Sequence, residues 1–98
     1  AFLGIAYGDI DPELATQFGL PVREGVVVTD VLADSPADRA GIRPGDIIVA
    51  IDGTPVTRGG DLRRVLREHR PGDTVAIAVL RPQGRVTLRA RLAEMPPL

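Results

Sequence analysis

The sequence predicts one mainly β domain with two or three short helices, arranged as a five-to-six-stranded, partly open barrel or sandwich. Three observations carry this reading. The run Ala40-Gly41-Ile42-Arg43-Pro44-Gly45-Asp46-Ile47-Ile48-Val49-Ala50-Ile51-Asp52-Gly53 sets a helix stop, a turn, an unbroken apolar strand and a hairpin signal in succession. Gly25 to Leu32 is rich in β-branched residues. Val86, Leu88, Ala90 and Leu92 alternate with Thr87, Arg89 and Arg91, the two-residue period of a strand with one buried and one wet face.

The elements follow in order. Leu3 to Tyr7 reads as a first strand, and Gly4 within it marks a bulge or a close approach of another backbone. Asp11 caps a short helix from Pro12 to Phe18, which Gly19 stops. Gly25 to Leu32 is too apolar for an edge and reads as a central strand. Ser35-Pro36-Ala37-Asp38 has the form of a capping box that opens a helix ending near Ala40. After the Ile47 to Ile51 strand, Gly59-Gly60 leads into a helix from Asp61 to His69, stopped by Pro71-Gly72. Thr74 to Arg81 and Arg85 to Leu92 then pair around Pro82-Gln83-Gly84.

At 98 residues the chain builds one core and has no room for a second domain. Its aromatics are Phe2, Tyr7 and Phe18, so the core must come from Val, Ile, Leu and Ala. A formal charge of −1 argues against nucleic acid or an anionic membrane as the main partner. All 12 basic residues are Arg, which reads first as a bias of the source genome. The absence of cysteine removes disulfide and thiolate chemistry and leaves the redox compartment open. No run reaches the ~20 apolar residues that a membrane helix needs, so no direct membrane insertion is expected. The chain starts directly in an apolar strand pattern, as expected of a piece of a longer protein.

Catalytic constellations fail on inspection. Ser35 and His69 are the single serine and histidine; Ser35 is better used as a helix cap, and His69 lies at the charged end of another helix. Asp9, Asp11 and Glu13 lack the ligand density and central glycine of a calcium loop, and Asp46 and Asp52 are turn residues. Gly41 to Asp46 has no following Gly-Lys-Ser/Thr and is no phosphate loop. No catalytic residue, metal site or cofactor is expected.

Two features exceed simple packing. Phe2-Leu3-Gly4-Ile5 brackets a glycine with apolar residues at the start of a strand, an arrangement able to aim successive N–H groups at an anion. Leu62, Val65 and Leu66 form an apolar stripe on a charged helix. A free strand edge beside such a helix makes a groove that accepts one more strand.

On these residues the chain resembles a PDZ domain over essentially all 98 positions, with residues 1–94 as the domain and 95–98 as a tail or linker stub. Phe2-Leu3-Gly4-Ile5 is similar to the family's carboxylate-binding loop, Ser35 to Ile48 to its helix and following strand, and Asp61 to His69 to the helix lining its groove. The glycine loop opens the chain and Val86 to Leu92 closes it, which resembles the permuted strand order of bacterial-type PDZ domains. The insert Pro12 to Leu20 is similar to that of HtrA-type trypsin-like serine proteases.

The resemblance implies a non-catalytic module that captures C-terminal or extended peptides by strand addition. It would be the substrate-recognition or regulatory domain of an extracytoplasmic protease, with that parent's protease domain as a second partner. Its site would comprise Phe2, Leu3, Gly4, Ile5, Ala6 and Tyr7 with Leu62, Arg63, Val65 and Leu66. Leu3, Gly4 and Ile5 would hold the peptide carboxylate, Ile5 to Tyr7 would pair with its backbone, and the leucines and valine would take its last side chain. In HtrA relatives a basic residue often lies just upstream of the loop and assists with the carboxylate; this sequence starts at Ala1, so that residue was either cut off or never there. Gly4→Asp is expected to weaken binding without unfolding. The rival readings are an assembly domain whose groove a neighbouring domain or subunit fills, and a PDZ domain of another parent, such as a membrane-embedded or carboxyl-terminal-processing protease or a secretion component.

Overall fold

Turn chemistry cuts the chain into nine elements among the described residues: β1 (Ile5–Asp9), α1 (Pro12–Phe18), β2 (Val26–Val31), α2 (Pro36–Ala40), β3 (Ile47–Ile51), β4 (Thr54–Pro55), α3 (Gly59–Glu68), β5 (Thr74–Arg81) and β6 (Gly84–Arg91). The computed structural model describes residues 1–20 and 22–95, excepting the side chains of Leu14 and Phe18. Of the expected tail, Met95 is described, and Pro96, Pro97 and Leu98 lie outside the described residues.

The caps form where the residue types place them. Asp11 accepts the Glu13 N–H at 2.8 Å, and Gly19 ends α1 at φ 65. Ser35 accepts the Asp38 N–H at 3.2 Å, while the Asp38 carboxylate takes the Asp34 N–H at 2.8 Å, one residue earlier than a capping box would have it. Asp52 and Gly53, at φ 49 and 79, turn β3 back onto the two-residue β4, the hairpin that this residue pair signals.

The strands form one antiparallel sheet in the order β1-β2-β3-β5-β6, with β4 attached to β3. As the pattern predicts, β2 is interior, and β5 and β6 pair along their whole length. The sheet is not closed. Among the described residues its two ends are tied where Phe2 pairs with Ala93, through hydrogen bonds of 2.8 and 3.1 Å. One face packs Leu3, Val28, Ile48, Ile51, Ile77 and Val79 against Leu62 and Val65 of α3 and Ala37 of α2. Burial of each large aliphatic side chain contributes about 1.5–3 kcal/mol. The smaller cluster Ile10, Ala15 and Ile47 joins α1 to the sheet, so the insert between the first two strands has its own packing site.

Asp46 departs from its reading as a simple turn residue. It is only 4% exposed. Its carboxylate accepts from Arg81 Nε at 2.9 Å, Arg81 Nη2 at 2.8 Å and the Arg43 N–H at 2.9 Å. The register that places Ile47 opposite Leu80 brings together these residues far apart in sequence. Burial opposes ionisation of Asp46, but hydrogen bonds from Arg81 and Arg43 together with their charges outweigh it and hold the carboxyl below its usual pKa.

A lowered folded pKa means the pair stabilises at neutral pH and that this contribution is lost as pH falls below about 4. Asp46→Asn is therefore expected to cost about 2–3 kcal/mol at pH 7. Urea unfolding at several pH values checks this: the gap between variant and wild type should close in acid, and a gap independent of pH would refute the linkage.

Candidate functional site

The N-terminal loop is built by anchoring its carbonyls. Phe2 C=O accepts the Ala93 N–H at 3.1 Å, Leu3 C=O the Ala37 N–H at 2.9 Å, and Gly4 C=O the Leu32 N–H at 2.9 Å. These donors come from beyond β6, from the first turn of α2 and from the end of β2. Among the described residues no peptide bond is cis, so each anchored carbonyl forces the next N–H to point the opposite way. The N–H groups of Leu3, Gly4 and Ile5 are thereby turned away from the groups that anchor those carbonyls. Among the described residues, no hydrogen bond engages the N–H of Leu3 or Gly4.

Gly4 makes this arrangement sterically possible. Its φ is 92, and a Cβ there would stand 2.3 Å from Ser35 Cβ and 2.7 Å from Ser35 Oγ. Ser35 is buried, and its hydroxyl lies 3.5 Å from Gly4 C=O. Any side chain at position 4 must therefore displace the cap of α2. This overturns the expectation that Gly4→Asp would leave the fold intact.

Beyond the loop, β1 has one free edge. Leu32 N–H meets Gly4 C=O, and Ile10 N–H meets Gly25 C=O at 3.1 Å. Antiparallel alternation then turns the Gly4 C=O and the backbone groups of Ala6, Gly8 and Ile10 toward β2, and those of Ile5, Tyr7 and Asp9 outward. The register break between Ala6 and Tyr7 passes over Thr29 of β2 and leaves the alternation of β1 intact.

Helix α3 flanks that edge, running antiparallel to β1. At the loop end, the Ala1 nitrogen donates to Leu66 C=O at 3.0 Å. At the far end, Asp9 Oδ1 accepts the Gly59 N–H at 2.7 Å. Arg58, at the N-cap position of α3, supplies no side-chain cap, so a carboxylate from β1 satisfies an otherwise orphaned helix donor. Gly59 has no Cβ because one would stand 2.9 Å from Tyr7 Cε2. Within the helix start, Asp61 accepts from the Thr57 N–H at 3.0 Å and Thr57 Oγ1 at 2.8 Å. These bonds, the backbone one foremost, lower its pKa.

Between loop and helix lies a pocket of about 320 Å³. Of the sequence-predicted site, Phe2, Leu3, Gly4, Ile5, Tyr7, Arg63 and Leu66 line it. Arg63 Nη1 donates to Tyr7 Oη at 3.1 Å, a contact between the groove walls. Leu62 and Val65 do not line it: their side chains are buried in the main core. Ala6 is exposed and borders a separate hollow with Asp30 and Leu32. Sequence reasoning missed Ala1, Arg67 and Met95, which also line the pocket. For Arg67 the signal was available, since it stands four residues after Arg63 and so on the same helix face. Met95 follows the last strand and carried no such signal.

The arrangement can hold an extended chain end: unpaired N–H groups for an anion, a strand edge for main-chain pairing, and an apolar hollow for a side chain. The volume lies at the small end of the about 300–1,000 Å³ range of ligand pockets. Among the described residues there is no cluster of three or more His, Cys, Asp or Glu able to hold a metal, and no helix long and apolar enough to cross a membrane.

Comparison with known proteins agrees with this geometry. A family model described as PDZ domain matches residues 1–92. The chain is 33% identical over 95 residues to a Pseudomonas fulva protein named "Probable periplasmic serine endoprotease DegP-like", covering 97% of this chain and 20% of that protein. Among solved structures, an HtrA-type protease AlgW with a decapeptide superposes at a TM-score of 0.82, with 38% identity, covering 99% of this chain and 30% of that one. The HtrA3 PDZ domain bound to a phage-derived ligand superposes at 0.79, with 29% identity, covering 92% of this chain and 82% of that one. The chain thus spans about a fifth of the curated relative's length.

Two substitutions check the construction. Gly4→Ala should destabilise the fold by about 2–4 kcal/mol, from left-handed strain and overpacking, and adding Ser35→Gly should recover the steric share; chemical denaturation of the pair measures both. Asp9→Ala should cost about 1 kcal/mol and speed amide exchange in the first turn of α3. Unchanged exchange at Gly59 would show that Asp9 does not cap the helix.

Proposed function

The chain belongs to the PDZ domain family, and from that premise we propose that the groove between β1 and α3 binds the C-terminal end of a peptide as an added antiparallel strand. One observation supports the reading: three consecutive carbonyls are anchored to the scaffold, and Leu3, Gly4 and Ile5, whose N–H groups face away from those anchors, line an apolar pocket. A terminal carboxylate accepts from Leu3, Gly4 and Ile5. The outward backbone groups of Ile5 and Tyr7 pair with the peptide main chain. Leu3, Ile5 and Leu66, with Phe2 at the rim, receive its last side chain, and apolar residues of medium size such as Leu, Val or Ala suit it.

Leu62 and Val65 act from beneath by holding α3 on the core, and Arg63 stands at the groove rim through its bond to Tyr7. The main-chain bonds are nearly blind to sequence, so the pocket supplies the discrimination. The module itself performs no chemistry. In an HtrA-type parent it presents cleaved or misfolded chain ends to a serine protease domain, or gates that domain, in an extracytoplasmic compartment. The relatives' names and the peptide-bound neighbours support this assignment of parent.

Calorimetric titration with one peptide ending in a small apolar residue, as free acid and as amide, tests the site. The acid should bind with a dissociation constant on the order of micromolar, about −8 kcal/mol, and the amide at least about tenfold more weakly. Equal binding of both forms, or of neither, would overturn the carboxylate loop.

A further inference from the structure

Two arginines of α3 line the pocket, and they are differently occupied. Arg63 is engaged by the Tyr7 hydroxyl. That contact lies toward the far end of the groove, where Asp9 meets Gly59. Arg67 stands one turn further along the same helix face, beside the N-terminal loop. It directly follows Leu66, whose carbonyl holds the Ala1 nitrogen at 3.0 Å, and it shares the pocket wall with Ala1, Phe2, Leu3 and Gly4.

The nearby charges do not neutralise it. Arg64 takes both acids of the helix, Asp61 at 3.6 Å and Glu68 at 3.9 Å, and Arg81 takes Asp46. Among the described residues, neither Arg63 nor Arg67 forms an ion pair with a carboxylate. An arginine without a carboxylate partner among the described residues, on a pocket wall shared with Leu3, Gly4 and Ile5, marks a position for a single negative charge.

From this placement we infer that Arg67 supplies the cation for the ligand's terminal carboxylate, and is a specificity-determining residue for free chain ends. The inference rests on the carboxylate reading given under Proposed function. It assigns to the helix wall of the groove a side-chain cation beside the neutral amide donors of Leu3, Gly4 and Ile5. Leu3, Gly4 and Ile5 fix the position of the carboxylate with neutral donors, and Arg67 adds the attraction that an amide or a continuing chain cannot receive. Arg67 is exposed, so its contribution is screened by salt.

A simple structural role for Arg67 also exists, since a cation in the last turn of a helix complements the helix dipole. The test therefore reads discrimination, not stability. The acid and amide forms of one apolar-ended peptide are titrated against the unaltered chain, Arg67→Gln, Arg67→Lys and Arg64→Gln. In Arg67→Gln the acid-to-amide preference should fall about three- to tenfold, with the affinity for the amide unchanged. Arg67→Lys should keep part of the preference as a point charge. Arg64→Gln, at a residue outside the pocket wall, should keep all of it.

Raising ionic strength should weaken acid binding by the unaltered chain more than by Arg67→Gln. Equal weakening of acid and amide in Arg67→Gln would make Arg67 a packing residue and overturn the inference, as would an unchanged preference. If the unaltered chain fails to discriminate acid from amide, the carboxylate site itself falls and this assignment falls with it.

Discussion

The planarity of the trans peptide is the constraint from which the groove follows. A carbonyl and the succeeding N–H cannot point the same way, so a scaffold that captures three carbonyls in a row necessarily presents three donors on its other side. The captors come from the end of β2, the start of α2 and the segment after β6. The loop is therefore shaped by the whole fold. Its residues supply little beyond a glycine that can adopt φ 92 with Ser35 pressed against it. The same logic explains why α2, which does not line the pocket, matters to it: one backbone donor, Ala37 N–H, holds Leu3 C=O and so turns the Gly4 N–H the other way.

Much of the architecture was legible because it is punctuated locally. Asp11 with Pro12, Ser35 with Pro36, and Asp52 with Gly53 act over two or three residues, and such signals survive in a linear reading. The bounds of α1, β3 and β5 coincide with those read from the sequence for that reason. What escaped depends on contacts across the chain. Asp46 with Arg81 is joined only once β3 and β5 find their register, and Asp9 with Gly59 only once α3 lies along β1. Gly59 was read as part of a lead into the helix; in the fold it is the first helical residue, held by a carboxylate from another element. On the candidate site, the apolar stripe of α3 was visible but its division was not. Leu62 and Val65 turn to the core while Leu66 is left at the pocket, a distinction set by the helix's rotation on the sheet.

An unpaired strand edge is ordinarily an aggregation hazard, and β1 carries one. The fold limits that hazard by geometry. Helix α3 stands over the edge, the edge is only five residues long, and a hydrogen bond pins its far end to the helix. A partner sheet of ordinary length cannot lie there, whereas a narrow chain end can. Selectivity for a single strand is thus inherent in the site before any side chain of a ligand is considered.

The two ties between β1 and α3 have an entropic consequence. Asp9 holds the helix start at 2.7 Å and the Ala1 nitrogen holds its last turn at 3.0 Å, so strand and helix are clamped at both ends of the groove. Neither clamp uses the N–H of Leu3 or Gly4. The spacing between the walls is set with the groove empty, and an incoming chain need not order the domain in order to enter it. The loss of conformational freedom on association falls almost wholly on the ligand, which favours a chain end that is already extended.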